Sequence, residues 1–122
     1  MTPLASSAFI EFAVAAAIGL VLLIAAAGEE GVRLLYLSGA AAIALGLIAG
    51  IPAGIVYHVK LSRALAATRA AEPGWWWRPA SHHARLPEQL RAPLLPWFHA
   101  GAAGFLVALA GCALVLLALL AG

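Results

Sequence analysis

The chain has 122 residues, of which 65% are hydrophobic and only 10% charged, and its mean hydropathy is +1.01. A soluble domain carries about 25% charged residues, and one of this size buries only about 60–70% of the surface of its unfolded chain. The composition therefore argues against a soluble globular domain. It predicts an all-α integral membrane protein that forms one three-helix domain over residues 1–122.

The first predicted transmembrane helix covers about residues 8–27. Its uninterrupted apolar stretch, Phe12 to Gly28, is shorter than a hydrocarbon core of about 30 Å. We therefore expect the helix to begin before Glu11, which places that carboxylate about one turn inside it. No Lys or Arg occurs in residues 1–27, so we predict a retained helix and not a cleaved signal peptide. Residues 28–33 are predicted to form a short polar turn.

The second predicted transmembrane helix covers residues 34–59 and contains no charged residue. Small residues recur along it at every fourth position, namely Ala42, Gly46, Gly50 and Gly54. A stripe of small side chains on one helix face lets another backbone approach closely, which favours association in lipid. The pattern predicts a helix-packing face whose partner lies either in this chain or in another one. Pro52 lies within the stripe and is expected to kink the helix.

Residues 60–97 are predicted to form an amphipathic and irregular loop. Leucines alternate with basic residues after Val59, so the second helix should continue along the membrane surface to about Ala71. The sequence Glu-Pro-Gly at 72–74 should stop it. The rest of the loop is rich in proline and leaves room for one short helix, near residues 87–91.

The third predicted transmembrane helix covers residues 98–121 and is also uncharged. Six of the seven Lys and Arg residues fall between positions 60 and 97. Since short cytoplasmic loops are enriched in Lys and Arg, we predict that the N-terminus and this loop are cytoplasmic and that the C-terminus lies outside. The loop also carries a candidate membrane-interface segment, formed by Trp75, Trp76, Trp77 and Arg78. Contact with lipid is the preferred interpretation of this basic segment over binding of nucleic acid.

Five polar or aromatic residues are predicted to lie at one depth, at the cytoplasmic ends of the helices: Glu11, Tyr57, His58, Trp97 and His99. Ionisable residues inside a membrane helix are costly and are therefore candidates for function. His58 and His99 suit the axial ligands of a b-type haem. A proton relay through Glu11 and a histidine, or a quinone site beside Tyr57 and Trp97, are alternatives.

Simple anchoring at the membrane interface explains the same five residues, because polar side chains near a helix end reach water at little cost. The adjacent histidines His82 and His83 are not predicted to bind a metal, since no third ligand stands at a suitable spacing.

The sequence contains no Asp and no recognisable catalytic motif. We therefore expect a non-catalytic membrane subunit or accessory protein that packs against partner transmembrane helices and presents its basic, Trp-rich loop to the cytoplasmic surface. The alternatives are a haem- or quinone-binding anchor of an electron-transfer complex and a small oligomeric transporter or channel. The expected partners are the lipid bilayer and other transmembrane helices, in a homo- or hetero-oligomer.

Overall fold

The computed structural model describes residues 3–122, with side chains from Ser6 onward, and this part of the chain contains helices and no strand. The all-α prediction is confirmed. The α-helices are α1 (Pro3–Ala26), α2 (Glu29–Thr68), α3 (Glu88–Arg91) and α4 (Leu95–Ala121). Three of them, α1, α2 and α4, are long and apolar enough to cross a membrane.

The contacts divide the chain into two compact units. One unit contains the chain up to Ile43 together with Ala110–Gly122, and the other contains Ala44–Leu109. The first unit therefore holds α1, the beginning of α2 and the end of α4. The second holds the rest of α2 and α4 and everything between them.

The connection between α1 and α2 is shorter than predicted. Only Ala27 and Gly28 separate the two helices, so the predicted polar turn over residues 28–33 is wrong. Gly28 has a φ of 84°, the left-handed conformation in which glycine commonly ends a helix. Glu29 and Glu30 instead form the first turn of α2, where their charges favourably face the positive end of the helix dipole.

Gly31 allows the end of α1 to lie directly against the first turn of α2. A Cβ atom added to Gly31 would lie 1.8 Å from the carbonyl oxygen of Ile24. No larger residue fits there without moving the backbone, so the tight hairpin depends on this glycine.

Helix α2 continues well past residue 59, as its amphipathic pattern predicts, and it is continuous across Pro52. It ends at Thr68, three residues before the predicted end at Ala71. Arg69 has a φ of 52°, and its N–H donates to the carbonyl of Ala66, while the N–H of Ala70 donates to that of Leu65. This pair of bonds is the Schellman motif, so local backbone geometry stops the helix before the Glu-Pro-Gly sequence is reached.

The predicted irregular loop is more ordered than its prolines suggest. Two 3₁₀ segments, Trp75–Trp77 and Pro79–Arg85, precede α3, which occupies the place predicted for one short helix. Helix α4 begins at Leu95 and not at residue 98. Pro96 is tolerated there because backbone N–H groups in the first turn have no partner within the helix.

Candidate functional site

Residues 69–94, called the cap below, pack onto the last third of α2 around a small hydrophobic core. Leu61 and Leu65 of α2 are completely buried, and Leu86 and Leu94 of the cap are buried with them. All four leucines come from amphipathic or irregular sequence, outside the uncharged stretches. The cap is therefore a folded element that can hold side chains in fixed positions.

Tyr57 and His83 join α2 to the cap through a hydrogen bond. The hydroxyl oxygen of Tyr57 lies 2.6 Å from Nε2 of His83, and Tyr57 is only 3% exposed. The ring of Phe98, in the first turns of α4, lies 5.3 Å from the Tyr57 ring and 5.1 Å from the His83 ring. The three rings thus form one aromatic cluster that connects α2, the cap and α4.

The surroundings of His83 favour its neutral form. Burial lowers the pKa of His83 below its ordinary value, and the positive charge of Arg91 and the neighbouring His82 and His99 lower it further. A neutral imidazole has one nitrogen that donates and one that accepts. Its Nε2 can therefore accept a hydrogen bond from the Tyr57 hydroxyl.

His58 is fixed by its own helix. Its Nδ1 lies 2.9 Å from the carbonyl oxygen of Gly54, which only accepts, so Nδ1–H is the donor. In the neutral ring the lone pair then remains on Nε2. The His58 ring is half-buried, with its centre 5.2 Å from that of Tyr57 and 6.2 Å from that of Trp75.

The five residues predicted to lie at one depth have different surroundings in the structure. Tyr57 and His58 lie together, and His99 is exposed with its ring against that of Phe98. Trp97 is 39% exposed. Glu11 is exposed on α1, in the other compact unit.

His83, the hydrogen-bond partner of Tyr57, is not among the residues that the sequence predicts for the site. Adjacent histidines suggest a metal ligand at most, and no group of three His, Cys, Asp or Glu able to hold a metal occurs among residues 3–122. No spacing rule connects residues 57 and 83. Only the folding of the cap brings them together.

The three consecutive tryptophans do not share one environment. Trp75 packs on the core of the cap, whereas Trp76 and Trp77 are 53% and 75% exposed and stack on each other with ring centres 4.4 Å apart. Trp76 and Trp77 therefore form the part of the predicted interface segment that is open to the surroundings. Arg78 beside them is exposed as well.

The glycine stripe of α2 contacts α4 within the second compact unit. A Cβ added to Gly104 would lie 2.5 Å from Cα of Gly50 and 2.7 Å from the carbonyl oxygen of Gly46, so the backbones are in direct contact. Ala42, also in the predicted stripe, is half-buried. The stripe is thus partly occupied by the protein's own α4.

One side of this helix contact remains open. A shallow groove of 270 Å³ lies beside it, and its floor is formed by Gly46, Gly50, Gly54 and Gly101. Leu47, Ile51, Ile55 and Phe105 complete its lining. A Cβ added to Gly54 would meet no atom within 4 Å, so the side-chain direction of this glycine is open, although Gly101 of α4 lies against its backbone. The groove with these eight lining residues is called the glycine groove below.

No protein-family model, no curated protein and no solved structure matches this chain. The class that the fold defines is an all-helical protein with three helices long and apolar enough to cross a membrane, two of which are in direct backbone contact.

Proposed function

We propose that this protein is a small, non-catalytic, multi-pass membrane protein that binds a transmembrane helix of another subunit and displays its basic, Trp-rich cap at the cytoplasmic membrane surface. The observation that carries the proposal is the glycine groove. Its floor is backbone and its walls are aliphatic or aromatic, which is the shape that a second helix can approach closely.

The physical basis is the way in which helices associate in lipid. Lipid tails are as apolar as leucine, so burial of apolar surface gives little driving force, and close packing of backbones provides it instead. Gly46 and Gly50 already provide such packing against Gly104 within the chain. Gly101 contacts the backbone of Gly54, but the Cβ direction of Gly54 meets no atom within 4 Å, and this open side of the groove is the proposed site for a partner helix.

The charge distribution supports the proposed orientation. The cap and the adjoining end of α2 carry six of the seven Lys and Arg residues, and Arg33 is the seventh. This bias supports a cytoplasmic location of the cap, because short cytoplasmic loops are enriched in Lys and Arg. The exposed pair Trp76 and Trp77 suits the headgroup region, where indole rings are favoured.

A matched pair of glycine substitutions tests the proposal. Gly54→Leu fills the groove, whereas Gly19→Leu adds the same side chain to α1, and an added Cβ meets no atom within 4 Å at either position. Both variants should therefore fold like the parent. We expect Gly54→Leu to abolish co-purification of the partner from native membranes in mild detergent, and we expect Gly19→Leu to retain it.

The measurement is mass analysis of the intact complex in lipid nanodiscs, which distinguishes a second copy from a different subunit. A parent protein that is strictly monomeric and without companion would overturn the proposal, and so would equal partner retention in both variants. Gly50→Leu is unsuitable as a test, because its Cβ would lie 3.2 Å from backbone atoms of Gly104 and would disturb the chain itself.

A haem- or quinone-binding anchor is a second candidate, and the geometry of His58 favours it. An imidazole whose Nδ1–H is held by a backbone carbonyl presents Nε2 in a fixed direction, which is the usual arrangement of a ligating histidine. An absorption spectrum of protein purified from its native membrane tests the haem form, for which we expect a Soret band that His58→Ala removes. A spectrum without that band contradicts it.

A further inference from the structure

The cap contains a polar cleft that is separate from the glycine groove. It has a volume of 610 Å³ and lies between the two 3₁₀ segments and the Glu-Pro-Gly sequence at 72–74 that precedes them. The side chains that bear on its chemistry are Glu72, Trp75, Trp77, Arg78, His82 and Arg85. All of them belong to the second compact unit, so the cleft is formed within one folded element.

His82 is the unusual residue of this cleft. It is only 5% exposed, and its Nδ1 has no hydrogen-bond partner among the described residues. A buried polar atom without a partner is rare in proteins and costs free energy. Because His82 lines the cleft, an acceptor atom of a molecule bound there is a candidate partner for the tautomer that carries Nδ1–H.

The charges around His82 are predominantly positive. Arg85 forms an ion pair with Glu72 through Nη1, which leaves most of its five N–H donors for another acceptor. Arg78 is exposed and makes no ion pair within the part of the chain that the structure describes. The lining of the cleft therefore contains two guanidinium groups and one carboxylate, and this excess of positive charge favours binding of an anion.

We propose that this cleft binds a phosphate group. The planar guanidinium matches phosphate oxygens with two parallel hydrogen bonds, and His82 supplies a third direction of donation. The indole rings of Trp75 and Trp77 provide an apolar wall for the organic part of a phosphate ester. The exposed stack of Trp76 on Trp77 beside the cleft favours a phospholipid headgroup over a free phosphate ester as the source.

The test uses the full chain in mild detergent, with native mass spectrometry of lipid adducts. The probes are phosphatidylglycerol, phosphatidylcholine and glycerol 3-phosphate. We expect one equivalent of phosphatidylglycerol to be retained, and we expect Arg78→Gln to weaken it about tenfold or more, the loss typical of a charged hydrogen bond. His82→Phe should weaken it as well, whereas Glu72→Gln should strengthen it because Arg85 is released.

Arg63→Gln is the matched control, because it removes one exposed positive charge from α2 outside the cleft. A charge that attracts the lipid only by its general field contributes about fivefold at most. Equal weakening by Arg63→Gln and Arg78→Gln would overturn the site, since it would show general attraction only.

Binding of glycerol 3-phosphate shows whether the phosphate group belongs to a lipid headgroup or to a free phosphate ester. Retention of the lipid with weak binding of glycerol 3-phosphate indicates a lipid headgroup, and comparable binding of both indicates a free phosphate ester. Both results support a phosphate site. If neither phosphatidylglycerol nor glycerol 3-phosphate binds, the phosphate site is overturned. This outcome is independent of whether a partner helix occupies the glycine groove.

Discussion

The hydroxyl of Tyr57 in α2 and Nε2 of His83 in the cap form a 2.6 Å hydrogen bond between residues 26 positions apart in the chain. The bond connects a helix able to cross a membrane with a segment rich in proline and arginine. The ring of Phe98 lies against both residues, and Tyr57 itself is buried. The cap is thus anchored to the helices by a specific polar contact as well as by its leucines.

Removal of the Tyr57 hydroxyl should destabilise the protein. Tyr57→Phe keeps the ring but leaves Nε2 of His83 without its partner, and we expect a loss of about 1–2 kcal/mol in the free energy of unfolding. The measurement is denaturant unfolding in mild detergent. Tyr36→Phe is the control, because Tyr36 is 47% exposed. An equal effect of both substitutions would contradict the prediction.

Acidification should weaken the contribution of His83. Its pKa is lowered in the folded protein, so below the ordinary value of about 6.5 the unfolded chain binds a proton that the folded chain does not. Stability rises with pH wherever the unfolded state binds more protons. The contribution is therefore fully present above about pH 6.5 and is lost as the pH falls from there towards the pKa of the folded state.

The comparison of the parent with His83→Gln isolates this effect from the other histidines. We expect the difference between their thermal unfolding midpoints to be largest above the ordinary histidine pKa and to shrink on acidification. A difference that stays constant over the whole pH range would show that His83 contributes no pH dependence.

Truncation of Leu61 should loosen the cap. Leu61 is completely buried, and Leu→Ala at such a site costs about 2–5 kcal/mol. We expect Leu61→Ala to lower the unfolding midpoint and to expose the cap to limited proteolysis. The control is Leu106→Ala, since Leu106 is 63% exposed and should change stability by less than about 0.5 kcal/mol. Unchanged proteolysis of the cap in Leu61→Ala would contradict the packing described here.

Glycine in place of Arg69 should stabilise the protein. Arg69 holds a left-handed φ of 52° at the end of α2, a conformation that is costly for any residue with a Cβ. After the entropy of glycine in the unfolded chain is subtracted, we expect a gain of about 0.5–1 kcal/mol for Arg69→Gly. Arg69→Ala removes the same charge but keeps the strain, so it should give no gain. A gain in both variants would mean that the charge, and not the backbone, is responsible.

The proposed orientation is tested by labelling single cysteines. Cys112 is the sole cysteine of the chain, so Cys112→Ala provides a cysteine-free background. In intact cells a membrane-impermeant thiol reagent should label Ala121→Cys and should reach Ser81→Cys only after the membrane is opened. Labelling of both positions from the same side would contradict three membrane crossings.

The helical boundaries show where sequence patterns succeed. Uncharged apolar stretches predict the cores of α1, α2 and α4, and the alternation of leucine and basic residues predicts the extension of α2 beyond residue 59. The predicted turn over residues 28–33 is wrong because charged residues need not indicate a loop, and Glu29 and Glu30 are favourable in the first turn of a helix.

The apolar composition and the helical periods are local properties, and the sequence by itself therefore determined the all-α class and the three long helices. Which glycines meet which backbone, and which histidine meets Tyr57, depend on how segments far apart in the chain pack together. Only the tertiary structure decided that Gly104 lies against Gly46 and Gly50 and that Gly101 lies against Gly54, and that His83 lies beside Tyr57. The physical reason is that these contacts join segments far apart in the chain. They depend on how the cap folds back onto α2 and on how α2 packs against α4, and no regular spacing of residues in the sequence indicates either arrangement.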